Sequence, residues 1–348
     1  MPLTANLIER IALLTFNQGP GPALDIWGGP AFRIVLAAIR LNVIVALDKG
    51  PATASALAHM VQIDAHGAAI LLEALRTLGY VQRRGEQYEL TAMSRKWLTD
   101  GGESNLSAYF QYWGIALEKL FPSLEESIRS GQAQVKLYEW LEHEPEASRY
   151  FQEGLIALTK LSKDQVVKQV ALPAGARRLL DVGGGHALYS VAFCHKYPQL
   201  SAVILDGPQA LATGRATIAA EGLTGRITTQ PGNFVTDALG EGYDAILLFN
   251  IVHGFTPEGN LALLRKVRQA LTPGGRIYLL EQIAGAGPSP LQETIVQLLN
   301  VSFFHLLGGQ VYPFAEIRTW LEEAGYHDIQ RRNLALAGSA IISAAGTS

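Results

Sequence analysis

The sequence predicts an α/β protein: a doubly wound, mostly parallel sheet that follows a smaller, mostly helical domain with a winged-helix pattern. Its 348 residues, 48% of them apolar, exceed what one compact core usually holds. Helical periodicity dominates up to about residue 172. From residue 173 onward, short apolar runs alternate with helical stretches, which is typical of a parallel sheet covered on both faces. We therefore divide the chain into residues 1–104, 105–172 and 173–348.

The composition excludes several classes of protein. A net charge of −3 without any basic block lacks the electrostatic footprint of a nucleic-acid-binding protein. No apolar run reaches the roughly 20 residues of a membrane-spanning helix, and the start of the chain lacks a signal-peptide pattern, so we expect a cytoplasmic protein that binds no membrane. The one cysteine, Cys194, excludes an internal disulfide, and no ligand spacing predicts a metal site.

Residues 1–104 predict three helices and a hairpin. Helical periodicity starts at about Ala31, Pro51 and Thr53 mark a break and a helix start, and a further helix leads into a strand pair around Gly85. The helix in the recognition position is apolar, with Arg76 as its one positive charge. We expect this helix to pack against a second subunit; a DNA-binding regulator is the alternative.

Residues 105–172 predict bridging helices rich in aromatic side chains, as in "AYFQYWGIAL" and "EASRYFQEGL". Ordinary helix packing explains such residues. The alternative is that some of them, with Trp113 and Phe151 as candidates, line a substrate pocket.

Residues 173–348 predict the sheet. Five apolar runs have strand length: "RRLLDV", "SAVILD", "RITTQ", "YDAILLFNIV" and "RIYLLEQI". Two last strands are expected at "DIQRRNLA" and "AIISAAG". In such a sheet, ligands bind outside the carboxyl ends of the strands, near the point where the strand order reverses. The candidate site residues are therefore sought at those ends.

A glycine-rich turn follows the first of these strands. Asp181 precedes Gly183 and Gly185, whose lack of a Cβ lets the backbone turn tightly and approach a ligand. Leu188 stands where a dinucleotide fingerprint needs a small residue, which disfavours NAD. A carboxylate beside the turn repels a pyrophosphate, but it accepts hydrogen bonds from an ammonium group.

The next strands add groups suited to a nucleoside. Asp206, followed by Gly207, is placed to accept hydrogen bonds from both ribose hydroxyls; the alternative is a helix cap before Pro208. After the third strand, Asn233 and Phe234 suit the edge and face of an adenine. Ribose, adenine and an amino-acid ammonium together describe S-adenosylmethionine.

The order of the motifs points to a family. "LLDVGGG", "ILDGP", "GNF", "LFNIVHGF", "LTPGGRIYLLE" and "GGQVYPFAEIRTWLEEAGY", behind a winged-helix-like segment, resemble the bacterial and plant small-molecule O-methyltransferases that use S-adenosylmethionine. The resemblance spans nearly the whole chain. It implies a Rossmann-like class I methyltransferase sheet, a homodimer formed through the N-terminal domain, a substrate pocket under the bridging helices and S-adenosylhomocysteine as a product. Phe249 and Asn250, at the end of the fourth strand, join the candidate cofactor residues.

The resemblance also implies that His253 is a general base. A phenol has a pKa near 10, so a base that titrates near neutrality helps to remove its proton. Glu281, at the end of the fifth strand, is the expected partner of His253; the alternatives are a strand-end histidine and a surface or capping carboxylate. Gly254 and Val311 stand where the family usually has further acids.

A late helix, "VQLLNVSFFHLLGG", falls where the resembled enzymes line their acceptor pocket. Asn300, Phe303, Phe304 and His305 are its candidate substrate residues, and core packing is the alternative for the two phenylalanines. The predicted function is O-methylation of a hydroxyl on a small aromatic or polyketide-like molecule. C- or N-methylation, or a non-methylating reaction on the same fold, is the alternative.

Overall fold

The computed structural model describes residues 16, 22–102, 104–287, 289–335 and 338–346. Apart from Phe16, the N-terminal stretch that we interpreted as lacking a signal peptide lies outside the described residues. The chain forms two compact units, residues 1–118 with 153–158 and residues 119–152 with 159–348. The predicted bridging segment, 105–172, thus contributes to both. Within the described ranges, no helix has the length and apolar character needed to cross a membrane.

The described residues of the first unit form helices and one antiparallel hairpin. Its elements are α1 (Ala23–Arg40), α2 (Val43–Asp48), α3 (Ala54–Val61), α4 (Ala65–Thr77), β1 (Val81–Arg84), β2 (Gln87–Leu90), α5 (Ala92–Leu98) and α6 (Ser107–Lys119). The predicted break at Pro51 and Thr53 is present, because the Thr53 hydroxyl accepts a hydrogen bond from the Ala56 amide and caps α3. The predicted hairpin is found, but four helices precede it instead of three. The first predicted helix divides into α1 and α2, because Asn42 between them has a left-handed φ of 57°.

Helix α4 differs from the prediction in what its apolar residues contact. Ala68, Leu72 and Leu75 have no exposed surface, and Leu72 and Leu75 belong to the core of the first unit itself. Ile70, on the other side of the helix, is 59% exposed. Helical spacing places residues 68, 72 and 75 on one face, which this unit buries by itself, so most of the apolar surface assigned to a second subunit serves the internal core.

The second unit contains a seven-stranded sheet with helices around it. Its first helices are α7 (Leu124–Ser130), α8 (Leu137–His143) and α9 (Pro145–Gln169), the last of which also supplies residues to the first unit. Strands and helices then alternate as β3 (Arg178–Val182), α10 (Leu188–Lys196), β4 (Ser201–Asp206), α11 (Pro208–Ala220), β5 (Ile227–Pro231), β6 (Tyr243–Phe249), α12 (Pro257–Ala270), β7 (Leu271–Gln282), α13 (Pro290–Leu307), α14 (Phe314–Glu323), β8 (Tyr326–Asn333) and β9 (Ser339–Gly346).

The strand order is β5-β4-β3-β6-β7-β9-β8, and β9 runs in the direction opposite to the other six strands. Adjacent residues on one strand face opposite sides: Leu180 belongs to one hydrophobic cluster and Leu179 to another, so both faces of the sheet are covered. The order reverses at β3, which pairs with β4 on one side and β6 on the other. The carboxyl ends of β3 and β6 thus flank the point where such sheets bind ligands.

Two strand boundaries differ from the prediction by three residues or more. Strand β6 ends at Phe249 rather than Val252, because Asn250 has a φ of 57°, a left-handed conformation that ends the extended backbone. His253 consequently lies on a short 3₁₀ turn, Val252–Gly254, and not on the strand. Strand β7 begins at Leu271 rather than Arg276, since Leu271 already pairs with Tyr243 across an irregularity in the ladder.

Candidate active site

The turn after β3 lies directly against the carboxyl end of β4. A Cβ on Gly185 would lie 2.7 Å from the Asp206 Oδ2 atom and 2.5 Å from the Ala210 Cβ, so only glycine fits there. Gly183 has a φ of 72°, and a Cβ on it would lie 2.5 Å from the Ile251 side chain. Both glycines are therefore needed for the close approach of backbone to neighbouring elements that a ligand cradle requires.

Asp206 is held by the backbone on both sides. Its Oδ2 accepts a hydrogen bond from the Gly185 amide (2.9 Å) and its Oδ1 one from the Gly207 amide (2.6 Å). Burial raises the pKa of Asp206, while these two backbone bonds oppose the rise. Each carboxylate oxygen has a second lone pair, so the group is fixed in place and still able to accept from a diol.

Asp181 lies at the end of β3 beneath the glycine turn. It is only 2% exposed, and its Oδ2 accepts a hydrogen bond of 2.7 Å from the Ser190 hydroxyl. Burial raises the pKa of Asp181 to about 6, partly offset by that bond. A buried carboxylate with a raised pKa favours binding of a cation, because the cation compensates the lost hydration.

The candidate cofactor residues on the adenine side differ in their contacts and in their exposure. The Asn233 side-chain oxygen accepts from the Val235 amide (2.9 Å), and the Phe234 ring packs edge-on against Phe255. Phe249 is buried and packs edge-on against Tyr189 at 4.8 Å. Asn250 is exposed at the left-handed break that ends β6.

His253 and Glu281 form a buried pair. The His253 Nδ1 lies 2.7 Å from the Glu281 Oε2, and the Glu281 Oε1 accepts from the amides of Ile251 (2.7 Å) and Val252 (2.6 Å). The predicted contact between the two residues is therefore present. A carboxylate can only accept hydrogen bonds, so the imidazole proton is on Nδ1 and the Nε2 lone pair is left to take a proton.

The turn that carries His253 is held from three directions. The Asn260 side-chain amide, fully buried, donates to the Val252 carbonyl (3.0 Å). Gly309 lies so close that a Cβ on it would be 2.1 Å from the His253 carbonyl oxygen. The Phe303 ring is parallel to the imidazole, with centroids 3.9 Å apart and planes 12° apart. These contacts restrict both the backbone and the ring of His253.

The candidate acceptor residues on α13 serve different purposes. The Asn300 Oδ1 accepts from the Val311 amide (2.8 Å), which ties α13 to the following loop. Phe304 is half-buried. His305 has no exposed surface: its Nε2 donates to the Leu120 carbonyl (3.1 Å), and its Nδ1 accepts from the Ser127 hydroxyl (2.7 Å). Because both ring nitrogens are bound to protein groups, His305 has no nitrogen left to contact a methyl-acceptor molecule. Its predicted role as a substrate residue is therefore wrong.

The two aromatic candidates from the bridging segment fall in different units. Trp113 belongs to the first unit, where it packs edge-on against Tyr109 and Tyr112, and its predicted role stays a prediction. Phe151 belongs to the second unit and packs edge-on against Tyr138.

Tyr138, which is 59% exposed, was not among the site residues predicted from the sequence. Its ring packs edge-on against Phe151, one of the predicted substrate residues. The only signal in the sequence was its neighbourhood of aromatic residues.

His186 was also missed, although it lies inside the glycine-rich turn. Its Nδ1 accepts from the Leu188 amide (3.2 Å), so its Nε2 carries the proton and donates to the Thr159 hydroxyl on α9 (3.1 Å). Burial lowers the pKa of His186 to about 4, which keeps the ring neutral. The residue fastens the turn to α9, a contact that sequence spacing cannot reveal.

The site as a whole fits S-adenosylmethionine. The close glycine turn, the backbone-held Asp206 and the buried Asp181 match the amino-acid, ribose and ammonium groups of that molecule. His253, supported by Glu281, follows the neighbouring strand.

Comparison with known proteins agrees. Residues 121–327 match the O-methyltransferase domain model and residues 31–100 match the O-methyltransferase dimerisation domain model. The chain is 30% identical to the 3-hydroxy-5-methyl-1-naphthoate 3-O-methyltransferase of Streptomyces sahachiroi, over 88% of this chain and 89% of that protein. It is 29% identical to the L-tyrosine C(3)-methyltransferase of Streptomyces lavendulae, over 88% and 86%.

A solved structure gives the same picture. The S-adenosylmethionine-dependent methyltransferase SibL is 28% identical, with a TM-score of 0.71, over 94% of this chain and 99% of that one. Since the O-methyltransferase model alone spans more than half of the sequence, this chain belongs to the S-adenosylmethionine-dependent O-methyltransferase family.

Proposed function

We propose that the protein transfers a methyl group from S-adenosylmethionine to a hydroxyl of a small aromatic or polyketide-like molecule, with His253 as the general base. The observation that carries this proposal is the pair formed by the His253 Nδ1 and the Glu281 Oε2, 2.7 Å apart, at the ligand-binding edge of the sheet. This pair gives an imidazole with a defined tautomer beside the residues suited to the cofactor.

When bound, S-adenosylmethionine supplies an electrophilic methyl group on a sulfonium. His253 Nε2 accepts the proton of the acceptor hydroxyl as the oxygen–carbon bond forms and the carbon–sulfur bond breaks. Glu281 keeps the proton on Nδ1 and compensates the positive charge that the imidazole acquires. Three hydrogen bonds hold Glu281, so its carboxylate does not need to reorient during the reaction.

The cofactor residues follow from the same geometry. Asp181 would bind the ammonium group, directly or through water, and Asp206 the ribose hydroxyls. Gly183, Gly185 and Gly207 would present backbone close to the ligand. Asn233, Phe234, Phe249 and Asn250 complete the proposed set at the adenine side and the strand ends.

Residues of α13 and α8 form the proposed binding surface for the methyl acceptor. Phe304 and Tyr138 offer partly exposed aromatic surface in the second unit, and Phe151 supports Tyr138. Such surface favours a planar, largely apolar acceptor. The relative from Streptomyces sahachiroi, whose name specifies a hydroxynaphthoate, supports an aromatic acceptor.

Methylation of a ring carbon is the second candidate, supported by the similarity to an L-tyrosine C(3)-methyltransferase. A phenolate is nucleophilic at oxygen and at the ring carbons ortho and para to it, so the same base serves both outcomes. Which atom faces the methyl group decides the product. Both products gain the same mass, and the proton NMR shift of the new methyl group distinguishes a methoxy from an aryl methyl.

The decisive variant is His253→Ala. Loss of the base should lower kcat by about 10²–10⁴-fold, because that is the usual contribution of a positioned general base. Calorimetric affinity for S-adenosylmethionine should stay near the wild-type value. Turnover is measured by mass spectrometry of the methylated product from a panel of phenolic acceptors.

His195→Ala is the matched control. His195 also pairs with a glutamate, Glu221, at 3.0 Å, but both residues are about half exposed on the surface. The control should keep wild-type turnover. A His253→Ala enzyme as active as the control would rule out the proposed base.

A further inference from the structure

The ring of Phe303 is the closest aromatic neighbour that the structure records for the imidazole of His253. The two rings are nearly parallel, with planes 12° apart and centroids 3.9 Å apart. We propose that Phe303 is a positioning residue, which holds the plane of the His253 imidazole so that the Nε2 lone pair stays aimed at the acceptor hydroxyl. This inference rests on the proposed base role of His253, and it replaces the predicted role of Phe303 as a plain acceptor contact.

A single hydrogen bond does not fix an imidazole ring. The bond from Nδ1 to Glu281 restrains one edge, but hydrogen bonds tolerate some tens of degrees of misalignment, so the ring can still tilt. The lone pair of Nε2 lies in the ring plane, and a tilt moves it away from the proton that it must accept. A parallel ring in contact with one face opposes that tilt.

The end of α13 is well fixed, which Phe303 needs in order to hold another side chain. The Gly308 amide donates to the carbonyls of Phe303 and Phe304, both at 3.1 Å, and Gly308 closes the helix in a left-handed conformation. Asn300, three residues earlier, accepts from the Val311 amide. His305, two residues later, is bound at both nitrogens. The Phe303 ring therefore projects from a backbone that is anchored on either side.

The flat face of the Phe303 ring is the property that restrains the imidazole of His253. Leucine fills much of the volume of phenylalanine but offers no plane, whereas tyrosine keeps the ring. An aromatic face also attracts the positive charge that the imidazole gains when it accepts a proton. Positioning therefore predicts that aromatic replacements keep the rate and that aliphatic ones lose it.

Phe303→Leu tests the proposal. We expect kcat to fall by about 10–10²-fold, the range in which small misplacements of a reacting group act. The acceptor KM and the calorimetric cofactor affinity should change by less than about 3-fold, because uniform binding is unaffected. Phe303→Tyr should retain kcat within about 3-fold, since it keeps the face. If Phe303→Leu does not fold, as judged by thermal unfolding, Phe303→Met takes its place.

The matched control is Phe314→Leu. Phe314 is also a half-buried phenylalanine of the second unit, but its ring contacts the Arg331 guanidinium instead of an imidazole. This variant should keep wild-type kinetic constants. An increased acceptor KM with unchanged kcat in Phe303→Leu would instead identify Phe303 as an acceptor contact and overturn the proposal.

A double-mutant cycle separates the proposal from the base assignment. If Phe303 acts through His253, adding Phe303→Leu to His253→Ala causes no further loss of turnover. Losses that multiply would overturn the positioning role while leaving His253 as the base. Wild-type turnover in His253→Ala alone would instead overturn the base, and with it the reason for positioning the ring.

Discussion

The buried carboxylate of Asp181 lowers the stability of the folded protein, yet it is the proposed partner of the cofactor's ammonium group. Its carboxylate is almost fully buried, with one hydrogen bond from Ser190, and burial raises its pKa to about 6. The pKa in the unfolded chain is near 3.9. Because the pKa of Asp181 is raised in the folded state, its carboxyl contributes stability to the folded protein only when protonated. This contribution is fully present below about pH 4 and is lost as the pH rises through about 6.

Asp181→Asn removes this cost while keeping the shape of the side chain. At pH 7.5, without cofactor, the free energy of unfolding should increase by about 1–3 kcal/mol, and the gain should disappear near pH 4. Affinity for S-adenosylmethionine should fall, because the proposed partner of the ammonium group is lost. Thermal unfolding across this pH range and calorimetry measure the two effects.

Asp328→Asn is the matched control for Asp181→Asn. Hydrogen bonds from Gln330 and Arg276 lower the pKa of this exposed carboxylate, so neutralising it should bring no gain in stability at pH 7.5. Equal stabilisation by both variants, or unchanged cofactor affinity in Asp181→Asn, would contradict the assignment of Asp181.

Some residues of the site follow from the sequence and others do not. The contact between His253 and Glu281 was predictable, since His253 follows β6 and Glu281 lies at the end of β7, two parallel neighbours whose ends meet at one edge of the sheet. The stacking of Phe303 on His253 depends on the rotation and height of α13, which no local pattern encodes. The burial of His305 depends on Ser127, 178 positions earlier in the chain. Sequence spacing therefore predicted the contact at the strand ends but not the contacts of α13.

At the scale of elements, the contact between the loop after α13 and the turn after β6 is the tightest that bears on the site. A Cβ on Gly309 would lie 2.1 Å from the His253 carbonyl oxygen and 2.7 Å from the Phe255 amide nitrogen. Neither atom belongs to a flexible side chain, so one of the two backbone segments has to move if a side chain is introduced.

Gly309→Ala should therefore displace the turn that carries His253. We expect kcat to fall by roughly 10–10³-fold, since misplacement by about 1 Å costs up to 10²-fold or more. Cofactor affinity should change little, because the turn after β3 is untouched. Steady-state kinetics and calorimetry test this expectation.

Gly225→Ala is the matched control for that substitution. Gly225 belongs to the same unit, and its added Cβ meets nothing within 4 Å. The control should behave as wild type; similar losses in both variants would show that the effect is not specific to the turn.

Most elements were predictable, and the exceptions have local causes. Apolar runs identified five strands of the large sheet, β3 to β7, because strands buried on both faces read as continuous apolar segments. The two further strands, β8 and β9, were also predicted. The end of β6 was misplaced since Asn250 takes a left-handed conformation, which asparagine adopts more readily than most residues but does not require. The early start of β7 depends on an irregular ladder with β6 and has no sequence signature.

At the scale of the whole molecule, the match to a dimerisation domain supports a homodimer. Several large apolar side chains within the matched residues are exposed on the isolated chain, namely Leu41, Val45, Met60, Ile70 and Met93. A surface that exposes several large apolar side chains is typical of an interaction surface. Ile70 is the most exposed of them.

Ile70→Glu should weaken the dimer, because a carboxylate buried at an apolar interface without a partner is costly. We expect a shift toward monomer at micromolar concentration, measured by size-exclusion chromatography with light scattering. Ile128→Glu is the control, since Ile128 is 60% exposed on α7 in the second unit, close to the 59% of Ile70. A fully dimeric Ile70→Glu protein would place the interface elsewhere.

The position of β9 has a consequence for how the protein is made. This strand is the last in sequence order, yet it pairs on one side with β7 and on the other with β8. While the chain is being synthesised, β7 and β8 emerge from the ribosome before the strand that separates them. Until residue 346 is available, β7 keeps an open edge of unpaired amides and carbonyls, a surface prone to aggregation. The catalytic sheet thus closes only after β9 has emerged, and the edge of β7 stays open in that interval.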